Sequence, residues 1–154
     1  MLKKKSLKLD IDWINNIRVN LSAVERRTST LTKRRTVKKE YQVAWLLRSI
    51  SLLDLTTLEG DDTLGKVEKL CAKGLSPISS EILNKLNIPY GTIHVGAICV
   101  YHDLVAHAKK ILNGKLPIAV VSTGFPAGLS SFNTRKNEIV NSIKDGADEI
   151  DIVI

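Results

Sequence analysis

"GADEIDIVI", residues 146–154, reads as a glycine turn followed by a strand. Ile150, Ile152 and Ile154 fall on one face of that strand, and Glu149, Asp151 and Val153 on the other. The isoleucines call for an apolar layer to pack on. A buried, unpaired carboxylate costs several kcal/mol or takes up a proton. Asp151 therefore needs a cationic or hydrogen-bonding partner if its face is closed.

Working back from residue 146, the same alternation of elements recurs. "NTRKNEIVNSIKDG" (133–146) has helical spacing, with Asn133 or Thr134 as the expected N-cap and Gly146 at its end. "LPIAVVSTGF" (116–125) and "VGAICVY" (95–101) are continuous apolar runs, as in strands buried on both faces. Between them Asp103 is the expected cap of the helix "LVAHAKKILNG" (104–114). The order is β-α-β-α-β with short connections, which implies a parallel sheet with right-handed crossovers.

Two architectures fit that order, an open doubly wound sheet and a (β/α) barrel. No G-x-G-x-x-G follows the first apolar run, and no Walker-type loop occurs anywhere. In a barrel Asp151 would point into the lumen. In an open sheet it would be a structural or edge aspartate. The chain pattern by itself leaves both open.

The first 50 residues read as helices. Ile11, Ile14 and Ile17 recur at helical spacing. Ser22 and Glu25 have the spacing of a capping box. Val37, Tyr41, Ala44, Trp45 and Arg48 lie in register on an amphipathic helix. "LDLTTLEGDDT" (53–63) interrupts this pattern. A further helix follows, with Leu64, Val67, Leu70 and Cys71 as its apolar stripe.

The charge is unevenly placed. Of a net +7, residues 1–50 hold 13 Lys/Arg against 4 Asp/Glu, and residues 51–154 hold 10 against 12. The basic run "TKRRTVKK" (32–39) lacks aromatic interleaving and any recognition motif, so a solvated helical face is the simpler reading than nucleic-acid binding. No apolar run reaches the ~18 residues of a membrane span. The start "MLKKKSLKLDIDW" has no apolar segment of the secretory kind. Cys71 and Cys99 do not form a disulfide framework, so a reducing, cytoplasmic setting is expected. His94 and His107 lack metal-ligand spacing with any acidic or cysteine cluster.

Three segments together resemble the deoxyribose-phosphate aldolase family, in its eukaryotic form. They are "LLDLTTLEGDDT" (52–63), "GAICVY" (96–101) and "VSTGFPAGLSSFNTRKNEIVNSIKDGADEIDIVI" (121–154). The resemblance implies a TIM-type barrel, present here as an incomplete one. N-terminal helices (1–50) would precede its first three parallel strands (51–154). It also implies class I aldol chemistry: reversible cleavage of 2-deoxy-D-ribose 5-phosphate to acetaldehyde and D-glyceraldehyde 3-phosphate. That chemistry proceeds through a lysine Schiff base and requires neither metal nor cofactor. The expected partner is then a small phosphorylated sugar, with a homo-oligomer as a further expectation.

Asp151 matches the family's acid–base aspartate. Asp54 and Thr56 match its "DLTTL" segment beside the substrate, and Cys99 matches a cysteine close to the substrate pocket. "VYHD" (100–103) departs from the family's usual Val-Tyr-Pro, which makes His102 a loop change particular to this chain.

The Schiff-base lysine belongs to a later strand of the family's barrel and is not expected within this chain. Such a lysine must fall from a pKa near ~10.4 to about 7. It must also sit at the C-terminal end of a strand. Lys109, Lys110, Lys136 and Lys144 lie on polar helical faces, and Lys115 precedes a strand. The chain alone is therefore expected to be inactive, with a non-catalytic interaction partner as the competing reading.

Overall fold

The computed structural model describes residues 8–34 and 36–154. The lysines at 3–5 of the basic start, and Arg35 of the basic run, lie outside the described residues. The chain divides into two compact units, residues 1–37 and 38–154.

Among the described residues the first unit carries two α-helices and a 3₁₀ turn (Leu31–Lys33). Asp10 caps α1 (Ile11–Asn16) by accepting from the Trp13 amide at 2.8 Å. Asn20 caps α2 (Leu21–Ser29) by accepting from the Ala23 amide at 3.1 Å. The expected cap, Ser22, sits inside α2, and its hydroxyl donates to the Asn20 side chain at 2.9 Å. Asn is as strong an N-cap as Ser, and here it lies two residues nearer the helix start. Neither helix buries a residue.

The second unit is the α/β body. It begins with α3 (Lys39–Ile50), which the sequence pattern grouped with the preceding helices. Ile50 at its end packs on the core of this unit. Four strands follow: β1 (Asp54–Thr56), β2 (Ala97–Val100), β3 (Ile118–Ser122) and β4 (Glu149–Ile152). The periodicity predicted three. The extra strand, β1, has only three residues and no continuous apolar run, so it leaves no recognisable period.

All four strands are parallel and pair in sequence order, β1-β2-β3-β4. A doubly wound sheet reverses its order at a switch point, whereas here every crossover proceeds the same way. This is a barrel's winding direction, and it places the connecting helices on one face of the sheet. Those helices are α4 (Leu64–Leu75), α5 (Ser80–Lys85), α6 (Val105–Leu112) and α7 (Phe132–Asp145).

The main core lies between sheet and helices. Ile98, Val100, Ile118 and Val120 meet Val67 and Cys71 of α4 and Val105, Ala108 and Leu112 of α6. Gly74 of α4 sits where a Cβ would lie 2.5 Å from the Ile98 Cδ1, so the absence of a side chain lets α4 approach β2 closely.

Helix ends follow local chemistry. Thr63 caps α4 and Ser131 caps α7, each through its side-chain oxygen. The expected caps of α7, Asn133 and Thr134, fall inside its first turn. Asp103 belongs to a 3₁₀ turn (His102–Leu104) rather than to a cap of α6. Gly146 ends α7 at φ 106°, a left-handed position that suits glycine. Asp148 immediately precedes β4. Its carboxylate accepts from the Ile118 amide at 3.1 Å, and its own amide donates to the Ile118 carbonyl at 2.9 Å.

Candidate active site

In a parallel ladder, paired residues point to the same side of the sheet. The register pairs Thr56 with Cys99, Cys99 with Ala119, Ala119 with Glu149, and Val121 with Asp151. Asp54 pairs with Ala97 on the same side. The four residues singled out in the sequence, Asp54, Thr56, Cys99 and Asp151, therefore share one face, opposite the helices. Ile150 turns the other way and packs on the main core, as the alternation in β4 requires.

Ala97, Cys99, Ala119 and Val121 form a thin apolar floor on this face, with Leu58, Tyr101 and Phe125 packed against it. The Tyr101 and Phe125 rings meet edge to face at 6.0 Å, beyond the C-terminal ends of β2 and β3. The small alanines keep the middle of the face low. Asp54, Thr56, Glu149 and Asp151 are exposed at its two sides. Asp151 is thus an accessible carboxylate on the sheet face opposite the helices.

Cys99 senses both flanks. It is 4% exposed. Burial pushes its thiol pKa up, the Thr56 hydroxyl pulls it partly down, and the negative charges of Asp151 and Asp54 add to the rise. At neutral pH it is a thiol, poorly suited to nucleophilic attack.

The β1–α4 loop lies at the C-terminal ends of the strands, where barrel enzymes place their chemistry. Asp62 organises it. Its carboxylate accepts from the Thr57 hydroxyl at 2.8 Å and from the Glu59 amide at 3.0 Å. The Lys66 ammonium lies 2.8 Å from Asp62 and 2.7 Å from Glu59. The bond to Lys66 holds the Asp62 carboxyl below the usual carboxylate range. Asp62 and Glu59 in turn drive the Lys66 pKa upward. This is the reverse of what an amine nucleophile needs. Glu59, Asp61 and Asp62 stand close enough together to ligate a cation, but Lys66 already supplies the positive charge between them.

His102 bridges two elements. Its Nδ1 lies 3.1 Å from the Ser142 hydroxyl and its Nε2 lies 3.2 Å from the Asp145 carboxylate, both on α7. Ser, His and Asp in contact suggest a hydrolytic triad. Ser142, however, is 0% exposed and donates its proton to the Glu138 carbonyl at 2.9 Å. With that proton committed, Ser142 accepts from Nδ1 and has no proton to give the imidazole, so the group is a structural tie. Sequence spacing gave no sign of this tie, because 40 residues separate His102 from Ser142. The departure from Val-Tyr-Pro was the only cue. Cavities of about 300 and 330 Å³ flank His102, one lined by Glu59, Asp62 and Tyr101, the other by Thr134, Asn137 and Glu138.

None of the four strands contains a lysine. Lys109, Lys110, Lys136 and Lys144, on polar helical faces, and Lys115, in the loop before β3, are all exposed. His94 is exposed beside β2, and His107 contacts Glu68 at 3.2 Å. No helix among the described residues is long and apolar enough to cross a membrane.

Relatives place this arrangement in context. No family model matches the chain. It is 45% identical over 153 residues to the mouse deoxyribose-phosphate aldolase, an alignment covering 97% of this chain and 48% of that protein. The human deoxyribose-phosphate aldolase gives the same identity and coverage. The chain spans about half the length of the curated relatives it matches.

Solved structures agree on the fold. A crystal structure from Coccidioides immitis, provisionally described as a deoxyribose-phosphate aldolase, superposes with a TM-score of 0.54 at 23% identity. It covers 70% of this chain and 36% of that one. A second, described as QR15, an aldolase, gives 0.51 at 25% identity and covers 67% of this chain and 38% of its own. Over the half of their length that it spans, this chain is similar to the deoxyribose-phosphate aldolases.

Proposed function

We propose that this chain contributes the acid–base side of a class I aldolase site. The reaction is reversible cleavage of 2-deoxy-D-ribose 5-phosphate to acetaldehyde and D-glyceraldehyde 3-phosphate. The observation that carries this reading is the face shared by Asp54, Thr56, Cys99 and Asp151, in a chain 45% identical to named aldolases. Asp151 is the acid–base residue. It is exposed on that face and is free to exchange protons through water with a substrate carbon or hydroxyl. Asp54 and Thr56 line the substrate region from β1.

The amine nucleophile is supplied by a segment other than residues 1–154. Lys66, the lysine held in the loop at the strands' C-terminal ends, is kept protonated by its two carboxylate partners. Two free, buried cysteines fit a reducing compartment, and the cytoplasm is the proposed location. Neither metal nor cofactor has a role in the proposed step.

Borohydride trapping with acetaldehyde, followed by mass analysis, tests the assignment. The 154-residue chain alone should give no reduced lysine adduct. A form that also carries the lysine-bearing segment should be trapped, and there Asp151→Asn should lower turnover about 10²–10⁴-fold. A stoichiometric adduct on any lysine of this chain would overturn the reading, as would near-normal turnover by the asparagine variant.

One observation favours a second reading. Within the described sheet β1 and β4 each have a single neighbour, so each offers an unpaired edge to another chain. As a non-catalytic partner or in a homo-oligomer, the chain would pair through those edges. Co-sedimentation with a full-length aldolase, abolished by a proline placed in β4, would support that role. Sedimentation as a monomer in the presence of excess aldolase would exclude it.

A further inference from the structure

Thr123 is the first residue after β3, and its φ is 64°. A β-branched residue in the left-handed region is an outlier, where glycine or asparagine is the ordinary choice. Thr123 is 7% exposed, so packing holds it in that conformation. Such strain collects where a side chain has a task that only that backbone allows.

The task is visible in its hydrogen bonds. The Thr123 hydroxyl donates to the Val153 carbonyl at 2.8 Å and accepts from the Val153 amide at 2.8 Å. The last backbone pair of the β3–β4 ladder is Ser122 with Ile152. One hydroxyl therefore serves both backbone groups of the next residue on β4, for which β3 no longer offers a partner. The loop that carries Thr123 is itself anchored. The Gly124 amide donates to the Glu138 carboxylate of α7 at 2.9 Å, and the Gly128 amide donates to the Gly124 carbonyl at 2.9 Å.

Val153 lies two residues beyond Asp151 and on the same face. If its two bonds are lost, the end of β4 is free to open back toward Asp151. We infer that Thr123 is a positioning residue, whose hydroxyl clamps the end of β4 and so keeps the Asp151 carboxylate in one direction on the open face. This rests on the proposed role of Asp151. Valine would keep the shape and lose both bonds. Glycine would relax the backbone and also lose them. Serine would keep the hydroxyl.

The test uses the 154-residue chain without substrate, so its outcome is independent of the borohydride experiment. Two quantities are measured in the wild type, Thr123→Val, Thr123→Gly and Thr123→Ser: the hydrogen-exchange rate of the Val153 amide, and the ¹³C resonance of the Asp151 carboxyl. The valine variant should exchange Val153 about 5- to 10-fold faster and should move or broaden the Asp151 resonance. Serine should restore both. If valine is not tolerated at the strained position, glycine, which suits that φ, should fold and give the same two losses. Unchanged Val153 exchange would overturn the inference. So would faster exchange with the Asp151 resonance unmoved, since the hydroxyl would then be a strap with no hold on the carboxylate. Failure of serine to restore either quantity would also overturn it.

Discussion

The two faces of the sheet are built from the same four strands and have opposite chemistry. Toward the helices, Ile98, Val100, Ile118 and Val120 are buried among branched side chains from α4 and α6. Away from them, the residues one step along each strand are Ala97, Cys99, Ala119 and Val121 in the centre, with Asp54, Thr56, Glu149 and Asp151 exposed on the flanks. One face holds the body together. The other has a small apolar floor and carboxylates that contribute little packing. Substitutions on the first should therefore cost stability, and substitutions on the second should alter chemistry without unfolding the chain.

The sharpest way to break this contrast is Ile98→Ala. Ile98 is fully buried at the centre of the helix-side core. Its truncation should cost about 2–5 kcal/mol in a denaturant titration. Asp151→Asn, on the other face, should leave the unfolding midpoint where it was. Equal losses from the two would end the distinction.

Gly74→Ala should come next. The added methyl would meet the Ile98 Cδ1 at 2.5 Å, and overpacking of this kind costs about 1–3 kcal/mol. Alanine's better helix propensity returns up to about 1 kcal/mol, so the net change should still be destabilising. A stabilised variant would mean that the α4–β2 contact is looser than it looks.

The acid limb of stability should reveal the loop at the strands' C-terminal ends. Asp62 has its pKa lowered in the folded chain, chiefly by Lys66. Its contribution is therefore present above the unfolded value of ~3.9 and is lost as pH falls through the lower folded value. Asp62→Asn should lower the melting temperature at pH 7 and flatten its decline below about pH 4. An acid limb identical to the wild type would remove Asp62 from that role.

The smallest effect uses Cys99 as a probe. Burial and the charges of Asp151 and Asp54 raise its thiol pKa, so neutralising either aspartate should speed alkylation modestly at fixed pH. Cys71, buried in the helix-side core, should not respond. A parallel change at both cysteines would indicate general loosening instead of local electrostatics.

Much of this organisation is legible in short stretches. The continuous apolar runs around Ile98 and Val120 announce buried strands, and Gly146 marks the end of α7. The alternation in 149–154 correctly separates Ile150 from Asp151. The misses share a cause. β1 is too short to carry a period, and Asn20 and Ser131 took capping roles expected of neighbours with similar chemistry. The His102 tie to α7 and the Thr123 clamp on Val153 join groups 40 and 30 residues apart, which no local pattern relates.

The sequence by itself determined the alternation of long strands and helices, the opposite faces of Ile150 and Asp151, and the resemblance to the aldolase family, because periodicity and motif spacing are local properties of the chain. Tertiary structure decided that the strands wind in one direction. It also brought Asp54, Thr56, Cys99 and Asp151 onto one open face. Those outcomes depend on register between strands, which exists only once distant segments have paired.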